Sequence, residues 1–185
     1  MPNEEYSYVL DYLPKGKPNS YKAEPIAQIL GIDFFTLLEV VPKTPLQVMN
    51  KIYVGKDERQ NIEYIKKRIT YKELTSTAVA ELEKAVEKIV ADDTKRFLDF
   101  FNNARSITIR RHQLELLPGL GKKHTKSILD AREKKPFESY ADISKRVALV
   151  PNPKSILVKR ILEEIEEEDM KYYLFARPPA KEFRR

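Results

Sequence analysis

The sequence contains no cysteine among its 185 residues, and this absence removes several classes of site at once. Disulfide bonds, thiolate zinc sites, iron–sulfur clusters and a cysteine nucleophile are all excluded. Only two histidines are present, His112 and His124, and neither has a partner at metal-ligand spacing. The sequence also has no Gly-x-x-x-x-Gly-Lys phosphate loop and no serine-centred elbow. We therefore expect no metal centre, no cofactor and no enzymatic activity.

Long hydrophobic runs are absent as well. The chain begins MPNEEY, which lacks the apolar segment of a secretory signal. No apolar stretch approaches the roughly 20 residues that a membrane-spanning helix needs. Hydrophobic residues still make up 42% of the chain, which is enough to form a buried core. These features predict a folded cytoplasmic protein without a membrane partner.

Positive charge is in excess, and it is unevenly distributed. The net charge is +6, with 14 lysines and arginines against 5 acids in residues 104–160. Residues 1–103 carry 15 basic against 16 acidic side chains. A one-sided positive field is typical of a protein that binds a polyanion. The alternative is a heat-adapted chain with charges everywhere, but this does not account for the asymmetry.

The first 72 residues read as short strands separated by turns. Segments rich in strand-forming residues lie at 6–13, 24–30, 34–41, 51–55 and 61–69. The Gly-Ile-Asp sequence between the second and third segments predicts a hairpin. Five short strands favour a small OB-like β-barrel, and an SH3-like barrel is the alternative.

The hydrophobic period changes to that of helices after this region. Residues 73–104 are expected to form connecting helices, the first of them capped by Thr75 or Ser76 and the second by Asp92 or Asp93. The apolar stripe of the first helix comprises Val79, Leu82, Val86, Ile89 and Val90. Residues 171–185 form a basic and aromatic tail that is either disordered or docked on another surface.

Residues 105–170 are expected to form a helical domain, so the fold class is α+β. Thr108 is expected to cap a helix that runs to about Leu117. Further helices are predicted at about 122–132, at 140–147 and after Pro153.

Two of the five glycines, Gly119 and Gly121, lie two residues apart in 114-LELLPGLGKKHTKSIL-129. A tight turn between two helices needs backbone angles that favour glycine, and we expect Leu120 between them to point into the core. The amides of Gly119, Gly121 and Lys122 would open a helix, where unpaired donors bind anions. Positive charge beside this turn comes from Lys122, Lys123, Lys126, Arg110 and Arg111.

This segment resembles the helix–hairpin–helix motif: an apolar residue, Pro-Gly-apolar-Gly, then a basic helix. The resemblance implies a hairpin that binds backbone phosphates of DNA or RNA without reading sequence. It also implies a monovalent cation at the carbonyls of Leu117 and Leu120. The residues that match the hairpin are Gly119, Leu120, Gly121 and Lys122. Thr125 departs from the family pattern, which usually has alanine, and such hairpins also serve purely as packing units.

A weaker second copy of the segment follows 33 residues later. The matching pairs are Pro118 with Pro151, Lys126 with Lys159, Ile128 with Ile161, and Leu129 with Leu162. Asn152 and Lys154 stand where the first copy has its glycines, which predicts a degenerate second hairpin within a tandem arrangement.

The barrel offers a second candidate surface. Strand alternation places Lys51 and Tyr53 on one face of their strand, and Tyr64, Lys66 and Arg68 on one face of the last strand. If these strands pair, Tyr53 and Tyr64 form a base-stacking platform in a basic groove, as in OB-folds. Alternatively, the tyrosines only fill strands and the lysines protect sheet edges.

The order of a small β domain, helices and this hairpin resembles an uncharacterised archaeal family, domain of unknown function 655. That family is described as OB-like plus helix–hairpin–helix and is presumed to bind nucleic acid. The resemblance implies archaeal cytoplasm, partners in translation or transcription, and RNA slightly more than DNA. We predict non-enzymatic nucleic-acid binding. The alternatives are a protein-interaction module and a DNA repair enzyme, for which Asp130 and Asp142 lack the usual sequence context.

Overall fold

The computed structural model describes residues 3–17 and 24–179. The chain divides into two compact units. The first comprises the residues up to Ala85 together with those from Glu163 onward, and the second is Val86–Leu162. No helix in the described ranges is long and apolar enough to cross a bilayer.

The first unit is built on a curled, five-stranded antiparallel sheet. Its strands are β1 (Tyr6–Leu13), β2 (Ile26–Gly31), β3 (Leu37–Pro42), β4 (Lys51–Tyr53) and β5 (Ile62–Arg68). The strand order is β4-β1-β2-β3-β5. The hairpin between β2 and β3 is confirmed, and the sheet forms a half-barrel consistent with the predicted OB-like barrel. The predicted α+β class is confirmed as well, because five helices follow the sheet.

The core of the sheet collects the β-branched and aliphatic residues of all five strands. Val9, Ile29, Val40 and Ile62 are fully buried in this cluster. Every residue of β2 and β3 is buried, so both faces of these central strands are covered. Because both faces are covered, these strands show no strict alternation of polar and apolar residues, and even Gln28 and Glu39 are buried within them.

The helices after the sheet begin largely where the sequence predicts. They are α1 (Ser76–Asp92), α2 (Thr94–Asn103), α3 (Lys122–Lys134), α4 (Tyr140–Arg146) and α5 (Pro153–Glu166). The Thr75 hydroxyl accepts the Ala78 amide at 3.1 Å, and Asp93 accepts the Arg96 amide at 3.3 Å, so both predicted caps are confirmed. Val79 was wrongly assigned to the apolar stripe, because it is 38% exposed while Ala78 is buried.

The helix predicted from Thr108 to Leu117 is wrong. The segment instead forms a β-hairpin of β6 (Ser106–Thr108) and β7 (Arg111–His112), followed by a short 3₁₀ helix at Gln113–Leu116. The run Ile107-Thr108-Ile109 is β-branched and therefore favours extended backbone. Arg110 and Arg111 accordingly lie on a β-hairpin and not on a helix.

The carboxyl-terminal segment is docked on the first unit. The buried carboxylate of Glu164 accepts the amides of Leu174, Phe175 and Ala176 at 2.7–2.9 Å. The Arg177 amide donates to the Phe34 carbonyl at 2.8 Å. Docking, one of the two outcomes expected for the tail, is confirmed for these residues, while residues 180–185 lie outside the described ranges.

Candidate nucleic-acid interface

The glycine turn, defined as residues 118–123, connects the 3₁₀ helix to α3. The Leu117 amide donates to the Leu114 carbonyl, and the Leu120 amide donates to the Leu117 carbonyl, both at 3.1 Å. Gly119 has φ +80°, in the left-handed region, so the predicted need for glycine is confirmed at this position. Leu120 is buried and anchors the turn to the core, as expected.

The prediction that the turn needs glycine for its backbone angles is wrong at Gly121. Its φ of −102° and ψ of −175° are extended values that any residue adopts. A Cβ placed on Gly121 would meet no atom within 4 Å, whereas one on Gly119 would lie 3.3 Å from Pro151 Cγ. Because Gly121 has no side chain, the space before the first residue of α3 is open. Glycine does not relieve backbone strain at this position.

The amides of the turn are partly occupied. The Gly121 amide donates to His124 Nδ1 at 3.2 Å, so the expectation that it is an open donor is wrong. The amides of Gly119, Lys122 and Lys123 find no acceptor in the described ranges. Open donors thus remain at and just before the amino end of a 13-residue helix, where the helix dipole also favours an anion.

A buried polar group lies close to this helix end. The Thr125 side chain is in the first turns of α3 and is only 5% exposed. Its hydroxyl oxygen has no hydrogen-bond partner among the described residues. A buried, unpaired hydroxyl is uncommon in native proteins, because it costs about 1–3 kcal/mol.

The cations around the turn are exposed and lie outside the ion pairs of the described chain. Lys122, Lys123, Lys126, Arg110 and Arg111 are all exposed. None of the five forms an ion pair with an acidic side chain in the part of the chain that the structure describes. By contrast, Lys88, Lys95 and Lys135 pair with Asp92, Asp99 and Glu138. Positive potential is therefore concentrated beside the open amides.

A groove of about 520 Å³ brings four of these cations together. It lies between the β6–β7 hairpin and α3, and its lining includes Arg110, Arg111, Lys122 and Lys126. Gly119, Gly121 and Lys123 are not part of the lining. Carboxylates also line the groove, namely Glu115, Asp130 and Glu133. An incoming anion is consequently favoured near the cations and the open amides, and disfavoured near the three carboxylates.

The two histidines have structural roles in this unit. The buried His112 accepts the Leu114 amide on Nδ1 at 3.1 Å and so caps the 3₁₀ helix. Burial lowers the pKa of His112, and the nearby Arg132 guanidinium lowers it further. His124 closes the first turn of α3 through Gly121, a role that the three-residue spacing could have indicated.

The second copy of the motif buries the aligned helix position as the first copy does, but it lacks the open amides of the first copy. Ile128 and Ile161 are both fully buried, as their alignment predicts. Asn152 Oδ1 accepts the amides of Lys154 and Ser155 at 3.0 and 3.3 Å. The left-handed residue here is Leu149, with φ +65°, and not Asn152. Its helix start therefore lacks the open donors of the first copy.

The proposed pairing of β4 with β5 is wrong. β4 pairs with β1 and β5 pairs with β3, so the two strands lie at opposite ends of the hydrogen-bonded order. Tyr53 contacts Tyr6 edge-on at 5.4 Å, and Lys51 lies 4.7 Å above the Tyr6 ring. The structure therefore does not bring Tyr53 and Tyr64 together through strand pairing.

The predicted residues on β5 already have partners. Irregular pairing at two points along β3 and β5 breaks the alternation that the sequence implied. Glu24 accepts the Tyr64 hydroxyl at 2.7 Å and the Lys66 ammonium at 3.3 Å, and the first of these bonds raises the pKa of Tyr64. Arg68 donates to the Arg177 carbonyl at 2.7 Å, and burial lowers its pKa.

Sequence reasoning missed one exposed residue of this region, Ile109. It is 107% exposed at the tip of the β6–β7 hairpin, where a helix was expected. The signal in the sequence is an isoleucine directly before two arginines, within a β-branched run.

Comparison with known proteins places these features in a family context. Residues 3–177 match the family described as "Protein of unknown function (DUF655)". The chain is 41% identical over 177 residues to Uncharacterized protein MJ0038 of Methanocaldococcus jannaschii, covering 94% of this chain and 80% of that protein. The crystal structure of Af1531 from Archaeoglobus fulgidus superposes with a TM-score of 0.85 at 45% identity, covering 94% of this chain and all of that chain.

Proposed function

The chain belongs to the DUF655 family of proteins of unknown function, and we propose that it binds nucleic acid without catalysis, by its backbone phosphates, at the glycine turn. One observation carries this proposal: the open amides of Gly119, Lys122 and Lys123 lie beside exposed cations that form no ion pair in the described chain. Amide donors at a helix start and nearby ammonium groups together match the chemistry of a phosphate diester.

We expect affinity to come from several contacts of modest strength at the turn, and not from any one residue. A negative group at a helix start gains roughly 0.3–1 kcal/mol from the dipole alone. Each phosphate neutralised by lysine or arginine adds to affinity through counterion release. Phosphate contacts position a protein on nucleic acid but carry no sequence information, so this turn is expected to bind RNA and DNA alike.

The sheet supports the proposal less well than the turn does. Lys66 already pairs with Glu24, and Arg68 already donates to the Arg177 carbonyl. A cation committed to an internal partner must exchange that contact before it binds a phosphate, which reduces the net gain. We therefore assign the main affinity to the second unit, Val86–Leu162.

The salt dependence of binding tests the proposal. Dissociation constants for a short single strand and a duplex, measured between about 50 and 300 mM salt, should give log–log slopes of about −0.7 and −0.9 per phosphate contacted. With three to five contacts the expected slopes are about −2 to −3.5 for the single strand and about −3 to −4.5 for the duplex. A complex that is insensitive to salt would contradict the proposal. Capture of a partner protein that survives nuclease treatment, without oligonucleotide binding, would favour an interaction module instead.

A further inference from the structure

The β6–β7 hairpin holds an aliphatic side chain out in solvent. Ile109 is 107% exposed, the highest value among the exposed large hydrophobic residues of the described chain. It lies in the two-residue loop between the paired residues Thr108 and Arg111. Neither Ile109 nor Arg110 has a positive φ, so this loop does not require the asparagine, aspartate or glycine that primed hairpin turns favour. Backbone preference accounts for a β-branched residue here, but burial does not account for an apolar one, since the side chain is fully exposed.

The charges around Ile109 distinguish it from an ordinary exposed aliphatic residue, which needs no explanation. Arg110 and Arg111 follow it directly, and Lys122 and Lys126 line the same groove from α3. None of these four cations has an acidic partner among the residues that the structure describes. Glu115, Asp130 and Glu133 also line this groove, so the cations nearest the tip are the two arginines that follow it in sequence. An apolar tip followed directly by two arginines that form no ion pair in the described chain is complementary to a polyanion that also has an apolar interior, as stacked base pairs do.

The aromatic residues of the second unit indicate which form of nucleic acid fits. Its aromatic side chains are Phe97, Phe100, Phe101, Phe137 and Tyr140. Four of them are buried and Phe100 is half-buried, so none offers an exposed ring. Proteins that bind single strands stack bases on exposed aromatic rings. Proteins that bend duplex DNA insert aliphatic or other apolar side chains between base steps from the minor groove.

We infer that Ile109 is a wedge, which enters a base step of duplex DNA from the minor groove while Arg110 and Arg111 contact the flanking phosphates. This inference rests on the proposed function, because the glycine turn must hold the backbone for the hairpin to reach the groove. Insertion partly unstacks one step and bends the duplex by roughly 20–90°. An RNA duplex is the weaker candidate, since proteins recognise A-form helices mainly by shape and 2′-hydroxyl contacts.

Fluorescence resonance energy transfer between the ends of a labelled DNA duplex of about 20 base pairs tests the wedge directly. Saturating wild-type protein should raise the transfer efficiency, because a bend brings the ends closer. Ile109→Ala should bind within about 3-fold of wild type, since its cations remain, yet leave the duplex straight. Leu149→Ala is the matched control: Leu149 is also exposed, at 84%, but has no neighbouring arginines, and this variant should bend the duplex like wild type.

Three outcomes would overturn the wedge while leaving phosphate binding intact. The first is that Ile109→Ala bends the duplex as much as wild type does. The second is that Leu149→Ala loses as much bending as Ile109→Ala. The third is that the protein binds single strands or RNA and does not bend duplex DNA. Failure of the proposed function gives a different result, namely no binding of any oligonucleotide by the wild-type protein. Thermal unfolding of both variants should match wild type, because neither exposed side chain contributes to the core.

Discussion

Charge reversal at Lys122 and Lys123 is expected to reduce affinity for an oligonucleotide by about 100-fold or more at about 0.1 M salt. The Lys122→Glu, Lys123→Glu variant removes two cations and adds two carboxylates beside the open amides. It also places negative charge where the bound phosphate needs positive potential. Fluorescence anisotropy with a labelled strand measures the change. Both side chains are exposed, so the fold should be retained.

A matched variant separates the local effect from net charge. Lys134 and Lys135 form another adjacent lysine pair, at the opposite end of α3. Reversing both makes the same change in net charge and also removes the Lys135–Glu138 ion pair. It should weaken binding only several-fold, because it reduces only the long-range attraction. Equal losses in the two variants would show that overall charge, and not the glycine turn, determines affinity. Far-ultraviolet circular dichroism checks that both variants keep their helices.

Replacement by valine is expected to have different effects at the two glycines: Gly119→Val should mainly lower stability, and Gly121→Val should mainly weaken binding. Gly119→Val should lower the free energy of unfolding by about 2–4 kcal/mol, because a β-branched residue is strained at φ +80° and its Cβ would press on Pro151. Gly121→Val should change stability by only about 1 kcal/mol, since its backbone is extended and its Cβ enters open space. The same valine should nevertheless weaken oligonucleotide binding by about 10-fold, because it stands in front of the amides.

Thermal unfolding and anisotropy on the same samples compare the two variants. If Gly121→Val is stable and binds as well as wild type, the open space before α3 is not where the ligand lies. If Gly119→Val is as stable as wild type, the strain argument for the turn is wrong.

The parts of the fold that were predictable from sequence are those governed by local chemistry. The segments at 6–13 and 61–69 carry their own strand-forming residues, and β1 and β5 were found there. Thr75 and Asp93 were predicted as caps because the capping interaction spans only three residues. The left-handed angle at Gly119 likewise follows from a turn too tight for a residue with a Cβ.

The wrong predictions depended on contacts distant in sequence. No local pattern indicates that β4 pairs with β1 and β5 with β3, because pairing is set by how the whole sheet closes. The helix expected after Thr108 had a cap signal, but the β-branched residues that follow favoured a hairpin instead.

The candidate site shows the same limit. The sequence identifies five cations near the turn, but it does not show which cations elsewhere already have partners. Lys66 and Arg68 resemble binding residues until Glu24 and the docked tail are located, respectively 42 and 109 residues away in sequence. The Gly121 amide was expected to be open although its acceptor, His124, lies only three residues away, because histidine is uncommon as an acceptor at a helix start.

The most direct test of phosphate binding at the glycine turn is a nuclear magnetic resonance titration of ¹⁵N-labelled protein with an oligonucleotide. The account predicts that the amide signals of Gly119, Lys122 and Lys123 shift most and saturate together, because these donors gain a phosphate acceptor. Leu120 and Gly121 serve as internal references, since their amides already donate to Leu117 and His124. Phosphate binding at the glycine turn would be contradicted if the amide signals of residues 119–123 do not shift at saturation, and the shifts are confined to the sheet or to the loop at 148–155.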